Sequence, residues 1–94
     1  MAVIATIGIA AGRREEAVQI LLRHRERCLR DEPGTLIFEL MVPREEADKL
    51  FLYEVYATQE AFDRHWNGES LAICSREGAG FITIQSGIWG TPAN

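Results

Sequence analysis

The stretch TLIFELMVPREEADKLFLYEVYA, residues 35–57, decides the fold. It contains two apolar runs rich in β-branched and aromatic residues, 35–42 and 50–57, separated by a charged segment that includes Pro43. Two such runs joined by a short polar segment are typical of a β-hairpin. The stretch therefore predicts two adjacent antiparallel strands in the middle of the chain.

A strand and a long helix are predicted before this hairpin. Residues 3–9 form a β-branched run, and residues 13–30 carry a helical pattern that Glu32-Pro33-Gly34 follows. Pro33 cannot continue a helix, and Gly34 can adopt the positive φ of a type II turn. The chain is thus expected to reverse direction there and to enter the hairpin.

Two helical pieces and a last strand are predicted after the hairpin. Residues 59–66 and 70–77 are helical, with Thr58 as the N-cap of the first piece, and residues 81–89 form a strand. The order βαββαβ predicts a ferredoxin-like α+β fold, in which a four-stranded antiparallel sheet carries its helices on one face. Residues 1–94 are expected to form a single domain.

Composition and charge exclude several classes of protein. Hydrophobic residues make up 47% of the 94 residues and charged residues 26%, which is ordinary for a globular chain and excludes disorder. A net charge of -4 argues against binding to nucleic acid, whose phosphates attract basic proteins. No apolar run approaches the roughly 20 residues that span a bilayer, so no membrane partner is expected.

The N-terminal stretch and the two cysteines favour a cytoplasmic location. MAVIATIGIAAGRREE lacks a basic segment before its apolar run and indicates a first strand rather than a signal peptide. Cys28 and Cys74 lie far apart in the sequence and are typical of free thiols in a reducing compartment.

The predicted sheet has more apolar surface than its helices can cover. One face is apolar and the other mixed, and we expect an exposed patch on the second face. The expected members are Ile37, Met41, Leu52, Tyr56 and Trp89. A patch of this size favours packing of the sheet against a second copy in a two-fold dimer. The alternative is a monomer in which the sheet face without helices is apolar and exposed.

Three side chains on the predicted helices carry candidate chemistry. His24 and Arg25 fall inside the apolar arc of the first helix. They are either a core histidine and an arginine that extends to water, or they line a pocket in which Arg25 orients an anion. His65 shares a helix face with Ala61 and Phe62, where its imidazole would be a proton carrier or a structural hydrogen-bonding group.

Other chemistries find little support in the sequence. His24 and Cys28 are four residues apart, but no further ligand follows at a suggestive spacing, so no metal site is predicted. No Ser/His/Asp arrangement, phosphate loop or dinucleotide fingerprint is present. Glu39 and Glu54 would share a sheet face if the two residue numbers of each facing pair in the hairpin sum to about 93. We expect the two carboxylates to be hydrogen-bonded or solvated at a dimer edge rather than to form a catalytic pair.

Two segments resemble the antibiotic biosynthesis monooxygenase (ABM) domain family. EPGTLIFEL at 32–40 and FLYEVYATQEAFDRHW at 51–66 contain its Glu-Pro-Gly turn, a strand that ends in Glu-x-aromatic-x, and an Ala-Phe-x-x-His helix. The resemblance in element order covers nearly the whole chain. It implies a dimeric α+β barrel with a small, mainly apolar pocket between the sheet and the helices.

The resemblance also implies a range of reactions. Several members are cofactor-independent oxygenases of quinols, anthrones or similar phenols, and others are isomerases or degrade haem. The frequent second histidine of the family is Ser70 here. The haem-degrading branch has Trp where this chain has His65, and an Asn on the first strand that this chain lacks, so we expect no haem.

We therefore expect a cofactor-free monooxygenase that acts on a small aromatic quinol or phenol with dioxygen. His65 or His24 would be the base, and Arg25 would stabilise the substrate anion. The expected aromatic walls are Tyr53, Phe62 and Trp66. Two alternatives are a non-catalytic small-molecule-binding dimer and an isomerase that uses the same base without oxygen.

Overall fold

A computed structural model describes residues 1–94 and has the predicted order of elements. In chain order these are β1 Ala2–Ile9, α1 Arg14–Asp31, β2 Thr35–Met41, β3 Lys49–Tyr56, α2 Gln59–Trp66, α3 Glu69–Glu77 and β4 Ile82–Gly90. The strands form one sheet in the order β2-β3-β1-β4, and every neighbouring pair is antiparallel. The ferredoxin-like α+β fold is confirmed, with the three helices on one face of the sheet.

Local sequence explains where α2 begins and how closely it approaches β2. Thr58 caps α2, since its side chain accepts a hydrogen bond from the backbone N–H of Ala61 at 3.0 Å. The expected positive φ at Gly34 is wrong, because only Gly12 and Gly80 have one. A Cβ at Gly34 would instead overlap the Cβ of Ala61, so glycine is needed there for α2 to approach the start of β2.

The core lies between the helices and one face of the sheet. Its largest fully buried side chains are Tyr56, Phe38, Leu50 and Cys28. The buried residues of α1 are Ala17, Ile20, Leu21, His24 and Cys28, whereas Leu22 and Leu29 are exposed. No helix is both long enough and apolar enough to cross a membrane.

The membership of the exposed sheet patch needs correction. Ile37 and Met41 are exposed as expected, but Leu52 and Tyr56 are buried under the helices. Trp89 is half-exposed yet lies on the helical side, where it contacts Phe62. Strand alternation fixes which residues share a face, but it does not say which face receives the helices.

The open face of the sheet nevertheless carries an apolar patch. We call it the far-face patch, and its members are Ile4, Ile37, Met41, Tyr53 and Ile88. Glu39 pairs with Tyr53 on this side, whereas Glu54 pairs with Phe38 on the helical side. The paired positions sum to 92 rather than 93, so the two carboxylates lie on opposite faces and the expectation that they share one is wrong.

Candidate functional site

A cavity of about 150 Å³ lies between the sheet and all three helices. Twelve of its 18 lining residues are hydrophobic, and they include Val3, Ala5 and Ile84 from the sheet. An apolar cavity of about this size accommodates a benzene ring. The site therefore has the volume and the surface for one aromatic ring, and larger fused rings would extend through its opening.

Three aromatic side chains form one wall and the mouth of this cavity. Phe62 stacks on Trp66 with ring centroids 6.0 Å apart, and Trp89 meets Phe62 edge-on at 6.3 Å. Both tryptophans are about half exposed, so they stand at the rim while Phe62 lies further in. Offset-stacked and edge-on geometries are the favourable arrangements of aromatic rings, and they would extend to an aromatic guest.

His65 is held by a carboxylate at the inner end of the cavity. It lies in the last turn of α2, and its Nδ1 is 2.9 Å from Oε1 of Glu32, the C-cap residue of α1. A carboxylate only accepts hydrogen bonds, so Nδ1 carries the proton and donates it. The lone pair of the neutral ring is then on Nε2. This carboxylate–imidazole pair has the arrangement of a base with its orienting group.

A second buried carboxyl faces the other nitrogen of His65. Oε1 of Glu54 lies 3.9 Å from Nε2 of His65 and accepts a hydrogen bond from the Tyr56 hydroxyl. Burial raises the pKa of Glu54, and burial together with the Glu54 charge raises the pKa of Tyr56. Glu54 also lines the cavity, so this polar group is within reach of a guest molecule.

His24 adds a neutral imidazole to the same cavity. Its Nδ1 lies 3.2 Å from the backbone oxygen of Ser70 and donates to it, which leaves the lone pair on Nε2. Burial lowers the pKa of His24 to about 4, with smaller contributions from His65 and Arg27. Cys28 lies between the two imidazoles, 3.6 Å from Nε2 of His24 and 3.6 Å from Nδ1 of His65. Burial and the nearby Glu32 and Glu54 carboxylates raise the pKa of this thiol.

The low pKa of His24 predicts a loss of stability in mild acid. The unfolded chain binds a proton near pH 6.5, whereas the folded chain resists it until about pH 4. The contribution of His24 to stability is therefore complete above pH 6.5 and falls by about 3 kcal/mol towards pH 4. Urea unfolding at a series of pH values measures this slope, and His24→Gln should remove it. Parallel curves for the two proteins would show that His24 does not cause it.

The structure brings four of the six predicted site residues together. His24, His65, Phe62 and Trp66 all line the cavity. The other two lie elsewhere and need correction. Arg25 donates from Nε to the backbone oxygen of Phe38 at 2.6 Å, and its guanidinium reaches Glu39 at 3.5 Å, outside the cavity. Arg25 therefore does not line the pocket or orient an anion there, and the first of its two alternatives, an arginine that extends outwards, applies.

Tyr53 is the second residue that the structure places away from the cavity. It belongs to the far-face patch, on the opposite side of the sheet from Leu52 and Glu54. Its ring therefore cannot form a wall of the cavity, because the sheet backbone separates the two.

Three residues beside the cavity received no functional role from the sequence, and they are Glu32, Glu54 and Cys28. Glu32 was interpreted only as part of a turn, and its contact with His65 spans 33 residues, which no local pattern reveals. The alternation of β3 did place Glu54 beside Leu52 and Tyr56, and that signal could have identified it. Sequence spacing offered no third ligand beside His24 and Cys28, but the fold brings His65 to both.

Comparison with known proteins identifies the family. The model of the antibiotic biosynthesis monooxygenase family matches residues 1–72, and the chain belongs to this family. No curated protein matches the chain by sequence.

Solved structures share its fold at low sequence identity. A candidate antibiotic biosynthesis monooxygenase from Bacteroides thetaiotaomicron has a TM-score of 0.89 at 23% identity, over 100% of this chain and 90% of that one. A candidate from Chloroflexus aurantiacus gives 0.84 at 17% identity, over 99% and 92%. SnoaB, a cofactor-independent oxygenase from Streptomyces nogalater, gives 0.81 at 14% identity, over 98% and 93%.

Proposed function

We propose that the chain is a cofactor-independent monooxygenase that oxidises a small aromatic quinol or phenol with dioxygen. The observation that carries the proposal is the Glu32–His65 pair at the inner end of an apolar, aromatic-walled cavity. Membership of the monooxygenase family supports it, as does the fold shared with a cofactor-independent oxygenase.

The reaction balances without a reductant. A phenol with a free ring position supplies four electrons to dioxygen: one oxygen atom enters the ring as a carbonyl and the other leaves as water. The two hydrogens of that water come from the phenol hydroxyl and from the ring carbon. The protein then needs only to form the electron-rich phenolate, to hold it, and to keep bulk water away.

His65 is the base in this proposal. Nε2 accepts the hydroxyl proton, and the Glu32 carboxylate stabilises the imidazolium that forms. The apolar walls desolvate the phenolate, which makes it a stronger electron donor to dioxygen. His24 is the less suitable base because its pKa near 4 makes it a weak proton acceptor at neutral pH.

Glu32→Gln should lower kcat while leaving KM nearly unchanged. The amide keeps a hydrogen bond to Nδ1 but cannot balance the imidazolium charge, so we expect kcat to fall by about ten- to a hundredfold. KM should change by less than about threefold, because Glu32 does not line the apolar cavity. Steady-state oxygen consumption measures both constants. A large increase in KM alone would assign Glu32 to substrate binding instead.

Oxygen consumption tests the proposed function and separates it from two alternatives. In chelator-treated buffer we expect the protein to accelerate oxygen uptake with a naphthoquinol or an anthrone well above the rate without protein. With isotopically heavy dioxygen, one labelled atom should appear in the product. Isomerisation of the substrate without oxygen uptake would indicate an isomerase. A thermal shift without any turnover would indicate a binding protein.

We also propose that a second copy of this chain covers the far-face patch. Ile4 and Ile88 are cross-strand neighbours at its centre and are 49% and 66% exposed. The molecule measures 36 × 28 × 18 Å, so its broad side is large enough for the roughly 800 Å² that each partner buries in a standard interface. An exposed apolar sheet of this extent is a liability for a monomer, and sheet-on-sheet packing removes it.

A further inference from the structure

Four metal-binding side chains meet in the interior beside the cavity. His24, Cys28 and His65 are 3%, 0% and 4% exposed, and their ligand atoms all lie within 4.8 Å of one another. The Glu32 carboxylate joins them through its 2.9 Å contact with Nδ1 of His65. The proposed oxidation uses only part of this cluster, since it gives Cys28 no role.

The two sulfur–nitrogen distances match the edges of a tetrahedral coordination sphere, and the imidazole nitrogens, which lie within 4.8 Å of each other, would close to about 3.3 Å when an ion binds. With zinc–sulfur bonds of about 2.3 Å and zinc–nitrogen bonds of about 2.0 Å, a tetrahedral site separates sulfur from nitrogen by about 3.5 Å. Sγ of Cys28 lies 3.6 Å from Nε2 of His24 and 3.6 Å from Nδ1 of His65. We propose that Cys28, His24, His65 and Glu32 bind a borderline-soft divalent ion such as Zn²⁺.

The surrounding hydrogen bonds fit this role. A metal-binding histidine usually donates its second ring N–H to a carbonyl or a carboxylate. Nδ1 of His24 already donates to the backbone oxygen of Ser70, which leaves Nε2 for the ion. If Nδ1 of His65 binds the ion, its Nε2–H points towards Oε1 of Glu54, which lies 3.9 Å away. His24 therefore has its orienting partner in place, and His65 would gain one if the Glu54 carboxyl closed the 3.9 Å gap to Nε2.

Charge and proton balance also favour a divalent ion. The Cys28 thiolate and the Glu32 carboxylate together cancel two positive charges, so the four ligands and a divalent ion are neutral as a group. Binding displaces the thiol proton of Cys28 to solvent. The proton on Nδ1 of His65 is exchanged for one on Nε2, so the ring stays neutral.

A second cavity, of about 340 Å³ and mostly polar, has Glu32 among its lining residues. Its other charged and hydroxyl-bearing lining residues are Arg27, Asp31, Arg64, Glu69 and Ser70. The Glu32 side chain is 19% exposed, so one ligand is already in contact with solvent.

Metal binding and base catalysis would exclude each other. The ion takes Nδ1 of His65 and the Glu32 carboxylate and leaves Nε2 protonated, so no lone pair faces the substrate. Zn²⁺ should then inhibit the oxidation, and this consequence rests on the proposed function. The binding itself does not, because it can be measured without substrate or oxygen.

Titration of the chelator-treated chain with Co²⁺ tests the site under anaerobic conditions. We expect thiolate-to-cobalt charge-transfer absorption in the near ultraviolet and intense visible bands typical of tetrahedral cobalt, saturating at one ion per chain. Added Zn²⁺ should remove both. Cys28→Ser should lose the charge-transfer band, whereas Cys74→Ser, which changes the other buried cysteine, should retain it.

Two further variants keep the test decisive if Cys28→Ser does not fold. Glu32→Gln and His24→Gln should keep the charge-transfer band but weaken Co²⁺ binding by at least about tenfold. In the wild type, zinc at a hundredfold excess over Kd should raise Tm by about 10 °C. Absence of the band in the folded wild type would overturn the proposal, as would a band that depends on Cys74 rather than Cys28.

Discussion

Replacing His65 with glutamine is expected to lower kcat for oxidation of a phenolic substrate by about a hundredfold to ten-thousandfold. Glutamine has a similar volume and can still donate a hydrogen bond to Glu32, but it cannot accept the substrate proton. Position 65 is one of 18 that line the largely apolar cavity, so the affinity for substrate should change far less than kcat. Oxygen consumption with the wild type and the variant at saturating substrate gives the ratio.

Arg64→Gln is the matched control for this variant. Arg64 precedes His65 on α2 but points to solvent, so the same substitution there should change kcat by less than about twofold. Both variants are compared only after circular dichroism and thermal unfolding show that they are folded. Full activity of a folded His65→Gln protein would remove His65 from the mechanism.

Ile4→Lys is expected to dissociate the proposed dimer. Ile4 lies beside Ile88 and Tyr53 at the centre of the far-face patch, where a lysine ammonium would be buried among apolar side chains. Substitution at the centre of an interface commonly costs 2 kcal/mol or more, so the dimer Kd should rise by at least about thirtyfold. Sedimentation equilibrium across a range of protein concentrations measures this change.

Leu22→Lys provides a control on the opposite side of the molecule. Leu22 is on α1 and is 41% exposed, close to the 49% of Ile4, so both changes place the same charge on a similarly accessible apolar residue. It should leave the Kd unchanged. The proposed interface is contradicted if the wild type is a monomer at micromolar concentration, or if Ile4→Lys sediments as the wild type does.

The fold could be predicted from the sequence because its signals are local. The alternation in the hairpin, the turn at Glu32-Pro33-Gly34 and the Thr58 cap each act over a few residues, and together they give the element order. Helical spacing likewise placed His65 on the face that points to the sheet. Short-range patterns of this kind depend on backbone geometry and on side chains that are only a few residues apart.

The rest of the site depends on contacts that no local pattern encodes. Alternation on β3 separated Tyr53 from Glu54, but it did not indicate which of them the helices would cover. A one-residue difference in hairpin register was enough to move Glu54 away from the face of Glu39. Glu32 reaches His65 across 33 residues of sequence, and Gly34 lets β2 and α2 approach closely beside this contact, so both are tertiary effects.

The central claim is that a cavity imidazole removes the proton of a bound phenol, and an anaerobic binding experiment tests it most directly. Without dioxygen the reaction stops at the complex, and absorption spectroscopy distinguishes a phenolate from a neutral phenol. At neutral pH the account predicts a phenolate spectrum with the wild type and a neutral phenol spectrum with His65→Gln. A neutral phenol bound to both proteins, or a phenolate bound to both, would contradict it.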